Sequence, residues 1–173
     1  MEPEHSASQT NRFPILEAIF IADTAGKPMK RISEVEALAG RGLRGDRYAE
    51  GLGYYSKADP CEVTLIEGEM LDLICQRYGL HVHEGQHRRN LVVRGLQLRE
   101  LEGCQLRIGT TLLEYDRPRP PCAYVERLTE KGMTRALGEG AGIAARVIEG
   151  GWLREGAPIE VIRGVTKRRR RLP

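Results

Sequence analysis

Three stretches of this chain carry side chains able to do chemistry. Cys122 closes the run Arg117-Pro118-Arg119-Pro120-Pro121-Cys122. Its prolines fix φ and remove backbone donors, so the loop is stiff and holds one thiol in one place. Arg117 and Arg119, if close to the sulfur, lower its pKa and favour thiolate, the form that attacks an electrophile or ligates a metal. The competing reading is an inert cysteine buried behind a proline turn. The other thiols are weaker candidates: the spacing puts Cys75 on the apolar face of a helix, and Cys61 and Cys104 border strands.

The second stretch is Gly42-Leu43-Arg44-Gly45-Asp46-Arg47-Tyr48. Closely spaced glycines let backbone N–H groups approach an anion, and two arginines add charge. Gly45, Asp46 and Arg47 are therefore candidate anion contacts. The G-K-[ST] ending of a phosphate-binding P-loop and the G-x-G-x-x-G dinucleotide pattern are both missing. A flexible turn is the alternative. The third stretch is His81–Asn90, HVHEGQHRRN, with three histidines and one glutamate in seven residues. Zinc ligation is one reading, but the spacing matches no common zinc signature and Arg88 and Arg89 repel a cation. Arg88, Arg89 and Asn90 entering a strand suit an oxyanion better, because two guanidiniums and an amide clamp a phosphate.

These residues need elements to hold them. Ile15–Ala22 is an apolar run ended by a turn and predicts a strand, as does Glu62–Ile66; Glu34–Ala39 reads as a strand or a short helix, with the alternation of Val35, Ala37 and Ala39 favouring strand. Gly40–Pro60 holds five glycines and few aliphatics, and a loop of that length in a compact domain is usually functional. Gly68–Tyr78 predicts a helix with Met70, Ile74 and Tyr78, and Leu71 and Cys75, at i,i+4; Gly79 suits its C-terminal cap. Strands are expected at Asn90–Val93, Gln105–Ile108, Thr110–Tyr115, Ala144–Ile148, Trp152–Leu153 and Pro158–Ile162. Ala123–Leu137 reads as helix broken near Gly132. Many short strands with glycine turns and two or three helices predict a mainly β, barrel-like fold with flanking helices (α+β), not a parallel βαβ sheet.

Composition narrows the function classes. The chain of 173 residues is 40% hydrophobic and 29% charged, enough for a real core. The net charge of +3 resides in the tail: 163–173 carries six basic residues and no acid. Setting aside those six and Arg12 from the 27 basic residues, and Glu2 and Glu4 from the 24 acidic ones, leaves 20 and 22 across 13–162. The block is net acidic, so nucleic acid is an unexpected partner there. The basic tail allows non-specific contact with nucleic acid or an anionic surface, against the plainer role of a solvated tail. No apolar run approaches a membrane span and no secretory leader is visible, so the expected location is the cytoplasm with reduced cysteines. Residues 1–12 read as a disordered leader and 163–173 as a disordered tail.

Taken in order, GLRGDRY at 42–48, RNLVVRG at 89–95, LRELEGCQLRIG at 98–109, PPC at 120–122 and IEGGWLREGAPIEVI at 148–162 resemble the MOSC domain. This is the C-terminal domain of molybdenum cofactor sulfurases and a small stand-alone bacterial protein. The resemblance covers about 13–162 and implies a β-barrel with outer helices. It matches the family's cysteine to Cys122, the implied molybdenum ligand in relatives that reduce N-hydroxylated compounds, or a persulfide carrier in a sulfur-transfer role. It makes Arg89 and Asn90 contacts to phosphate or pterin, with Arg88, Gly45, Asp46, Arg47 and Arg119 as further candidates. Pyridoxal phosphate is not expected, since sulfurases carry it on a separate domain. No flavin, haem or iron–sulfur signature is visible, so electrons or sulfur come from a separate reductase or donor. Two positions depart from the pattern: Tyr48 where histidine is frequent, and Ala157 where aspartate follows glycine.

Overall fold

The computed structural model describes residues 13–164, so the expected leader and nearly all of the basic tail lie outside the described residues. Eleven strands run through the described chain: β1 (Ile15–Ile21), β2 (Lys30–Ile32), β3 (Glu34–Leu38), β4 (Gly42–Leu43), β5 (Val63–Glu67), β6 (Leu91–Arg94), β7 (Gln105–Ile108), β8 (Thr111–Pro118), β9 (Ile143–Glu149), β10 (Gly151–Arg154) and β11 (Ile159–Ile162). Three helices accompany them: α1 (Gly68–Tyr78), α2 (Ala123–Leu128) and α3 (Met133–Leu137). Eight strands form one sheet in the order β11-β7-β8-β9-β5-β6-β1-β2, and β10-β3-β4 form a second.

The large sheet curls until its two ends meet. The Leu16 N–H donates to Ala157 O at 2.9 Å, Gly156 N–H to Leu16 O at 2.7 Å, and Ile159 N–H to Pro14 O at 2.8 Å. These bonds cover strand edges that would otherwise be open. A bulge between Leu16 and Ala18 re-aims β1. Leu16 and Ile19 therefore share the barrel interior, while Ala18 and Phe20 face the helices. The run Val63–Ile66 is fully buried because β5 has the interior on one face and helices on the other. Burying each such aliphatic side chain stabilises the fold by about 1.5–3 kcal/mol. The predicted barrel-like β class with outer helices is the observed one.

Three local features add to or differ from the sequence reading. One pair, β5 with β6, is parallel and joined through α1, so a single parallel crossover sits inside the antiparallel sheet. The strand β2 was not visible in sequence, because Lys30-Arg31-Ile32 has no apolar alternation. In α1, Leu71 and Ile74 are buried but Cys75 and Tyr78 are exposed. The sheet covers only one edge of the predicted stripe. Gly79 caps α1 as expected, with φ +64 and its N–H on Cys75 O at 3.0 Å. No helix among the described residues is long and apolar enough to cross a membrane.

Two predictions follow from the packing. A Cβ on Gly142, whose φ is +97, would stand 1.9 Å from Leu65 O, whereas at Gly40 (φ +70) nothing lies within 4 Å. Gly142→Ala is expected to cost about 3 kcal/mol or more in denaturant unfolding, and Gly40→Ala only about 1 kcal/mol. The second concerns His87, which is fully buried with its ring edge-on to Phe20 at 5.1 Å. Its Nδ1 accepts the Arg89 N–H at 2.9 Å. Burial, and then the Arg89 charge, lower its pKa from 6.5 to about 3. Between those values the unfolded chain binds a proton that the folded chain refuses. Stability is full above pH 6.5 and falls as pH drops towards 3, by on the order of 4 kcal/mol. Unfolding curves taken across that range check this, and His87→Gln is expected to flatten the slope.

Candidate functional site

The site is built where β8 ends. Pro118 is the last residue of that strand, and the Arg119 N–H donates to Gly142 O at 2.9 Å. Pro120 and Pro121 then carry the chain into α2, with Cys122 in extended geometry just before its first turn. The Cys122 carbonyl accepts the Val125 N–H at 3.1 Å and the Thr134 hydroxyl at 3.0 Å, which pins the loop to α3. The thiol is partly exposed. It opens into a cleft of about 430 Å³ lined also by Arg47, Arg88, Arg89, Arg117 and Arg119. Five arginines and one carboxylate, Asp59, line this cleft.

Arg89 sits at the entrance to β6 and is 7% exposed. Its Nε donates to Ala141 O at 2.7 Å and its Nη2 to Arg119 O at 3.0 Å. Burial lowers its pKa to about 10, which leaves it charged at neutral pH. Arg88 has a left-handed backbone, φ 63, a strained state for a residue with a Cβ. Its carbonyl accepts from Arg47 Nη2 at 3.2 Å, and its own guanidinium donates to Lys27 O. Burial, and then Arg47, lower the Arg88 pKa. Arg47 pairs with the fully buried Asp46 at 3.1 Å and lies 4.4 Å over the Tyr48 ring.

The sulfur's surroundings decide its charge. Burial pushes the Cys122 thiol up, but the Tyr55 hydroxyl, the N–H groups of Val125 and Tyr124, and the Arg89 charge outweigh it. The net result is a thiol below its ordinary value. Cys122, and then burial, raise the Tyr55 pKa, so in this pair the phenol keeps its proton and faces the sulfur. Arg117 and Arg119, expected to act on the thiol, are instead engaged by Asp59. Among the cleft's cations Arg89 acts most on the sulfur.

The other predicted residues stand behind the cleft rather than in it. Asp46 accepts the N–H groups of Ala22 at 3.0 Å and Tyr48 at 3.2 Å. Asn90 accepts from Thr64 N–H and Oγ1 and donates to Phe20 O, stapling three strands. Gly45 supplies a turn at φ +81 against Ile21. Ala157 belongs to the barrel seam, whereas Tyr48 lines the cleft. His81 and His83 face Glu130 and Asp72 at 3.4 and 3.6 Å, and no group of three metal-ligating side chains forms among the described residues. Tyr54, Tyr55, Tyr124 and Asp59 were not singled out in sequence. The length of the Gly40–Pro60 loop pointed towards function there, but no spacing rule ties Tyr55 to a thiol more than sixty positions away.

Solved structures that share the fold include three bacterial proteins. YuaD from Bacillus subtilis has TM-score 0.70 and 20% identity, covering 87% of this chain and 96% of its own. YiiM from Geobacillus stearothermophilus has TM-score 0.63 and 19% identity, covering 86% and 75%. YiiM from Escherichia coli has TM-score 0.63 and 20% identity, covering 88% and 72%. At such identities the likeness is one of fold. No curated protein sequence matches the chain. A family model does, over residues 55–160, from the tyrosine beside the thiol to the last strand, and by that match the chain belongs to the MOSC domain family.

Proposed function

We propose that this protein binds the molybdenum cofactor in the Cys122 cleft and reduces N-hydroxylated compounds in the cytoplasm. The observation that carries the reading is one soft, thiolate-favouring ligand facing an excess of guanidiniums in a single cavity. Thiolate suits a soft metal, and arginines suit a phosphate. The MOSC family is associated with this cofactor. The donor set fits it: Cys122 as the metal ligand, with Arg47, Arg88, Arg89 and Arg119 around the pterin phosphate, and Asp46 and Asn90 supporting them from behind. The volume of about 430 Å³ lies in the ordinary range for small-molecule sites.

When bound, the cofactor supplies the two-electron chemistry that an N–O bond requires. The chain's own part is position and charge. The proline loop fixes the thiol and Tyr55 faces it with a retained proton. Arg89 holds positive charge where water is largely excluded, which strengthens its pull on an anion. Cleavage of N–OH to N–H and water consumes two electrons and two protons, so a separate reductase provides the electrons. The test is to purify the protein from cells able to make the cofactor and to measure molybdenum and pterin per chain. About one of each, lost in Cys122→Ala, is the expected result, with turnover of an amidoxime once an electron donor is added. No metal but a persulfide on Cys122 by mass spectrometry replaces this reading with sulfur carriage. Neither adduct, and no change in Cys122→Ala, overturns both.

A further inference from the structure

Asp59 is the one carboxylate in the lining of a cleft that also holds five guanidiniums. Its Oδ1 lies 2.6 Å from Arg117 Nη2, and its Oδ2 pairs with Arg119 Nη1. The two sides of this contact differ. Arg119 has a side chain only 10% exposed, is flanked by Pro118 and Pro120, and is held by backbone bonds to Gly142 and Arg89. The Asp59 side chain is 48% exposed. Water can solvate the carboxylate if the pair opens, but it cannot reach Arg119 as readily. Arg119 therefore needs an anion where it stands, and Asp59 is the partner able to leave.

The segment bearing Asp59 is folded back on itself. Three of its backbone N–H groups bond within the segment: Asp59 N–H to Tyr55 O at 2.8 Å, Ser56 N–H to Gly53 O at 3.2 Å, and Gly53 N–H to Ser56 Oγ at 2.8 Å. Its contacts with the body are side-chain ones: the Tyr54–Tyr124 stack at 3.8 Å, Arg127 on the Tyr54 hydroxyl at 3.4 Å, Tyr55 against Cys122, Arg117 on Pro60 O at 3.1 Å, and the Asp59 pairs themselves. We propose that Arg117 and Arg119 form an oxyanion subsite whose resident occupant is Asp59, displaced when a phosphate-bearing ligand enters. The proposal rests on the reading of this cleft as a ligand site, but not on which metal the ligand carries.

The experiment uses the full chain without cofactor and inorganic pyrophosphate as the probe, by titration calorimetry at constant ionic strength. Asp59→Asn removes the internal competitor and is expected to bind the probe about three- to tenfold more tightly. Asp116→Asn makes the same charge change beside Arg117 but outside the cleft lining, and is expected to gain less. Adding Arg119→Gln to Asp59→Asn is expected to abolish the gain. Unchanged or weaker binding by Asp59→Asn, an equal gain in Asp116→Asn, or no binding by any form overturns the proposal. Thermal melts confirm that each variant is folded. Failure to load molybdenum leaves these results untouched, so the two readings fail separately. Repeating the titration on cofactor-loaded protein locates the source of the anion. Lost pyrophosphate binding places the cofactor's phosphate in the subsite, and retained binding leaves the subsite for a phosphate-bearing substrate.

Discussion

The buried guanidinium of Arg89 is the interaction on which the rest of the site depends. Its donors reach Ala141 O, just ahead of β9, and Arg119 O, on the loop that carries the thiol. One side chain thus joins the entrance of β6, the entrance of β9 and the exit of β8. A buried cation is expensive unless its donors are satisfied. Here carbonyl dipoles satisfy it without cancelling its charge, as a carboxylate would. The charge remains available to the thiol and to whatever enters the cleft.

The barrel makes that arrangement possible. Closing the sheet through the start of β1 and the segment before β11 leaves the interior to aliphatic side chains. Polar chemistry is therefore confined to the strand ends and the loops between them. Arg88 and Arg89 precede β6, while Arg119 and Cys122 follow β8. Those ends lie at one level of the sheet because its register pairs Pro118 with Ile143, Ile143 with Leu65 and Leu65 with Leu91. His87 belongs to the same logic. An unprotonated, buried imidazole accepts the Arg89 N–H and packs on Phe20, so the strained Arg88 is held between a rigid neighbour and a rigid strand.

Electrostatics in the cleft is graded by burial. Asp46 is fully buried and stays paired with Arg47, fixing that guanidinium beside the Tyr48 ring. Asp59 stands half in water at the rim. The same residue type therefore acts as a permanent support in one place and as a weakly held counter-ion in another. Solvent access separates the two roles.

The sequence by itself determined the β-rich class, most strand positions, α1 with its glycine cap, and the break at Gly132. These follow from local periodicity and from backbone freedom, which are properties of neighbours in the chain. It also marked Cys122, Arg47, Arg88, Arg89 and Arg119, because stiff proline loops and clustered guanidiniums are visible as composition. The tertiary structure alone decided which of these share a cavity and which stand behind it. Asp46 and Asn90 became supports, the apolar stripe of α1 shrank to Leu71 and Ile74 with Met70 half-buried beside them, and Tyr55 and Asp59 entered the cleft. The cation acting most on the thiol proved to be Arg89, ahead of its sequence neighbours Arg117 and Arg119. The physical reason is that charge, burial and hydrogen bonding depend on distances across the sheet. Strand register and barrel closure set those distances, and no local pattern in the chain encodes them.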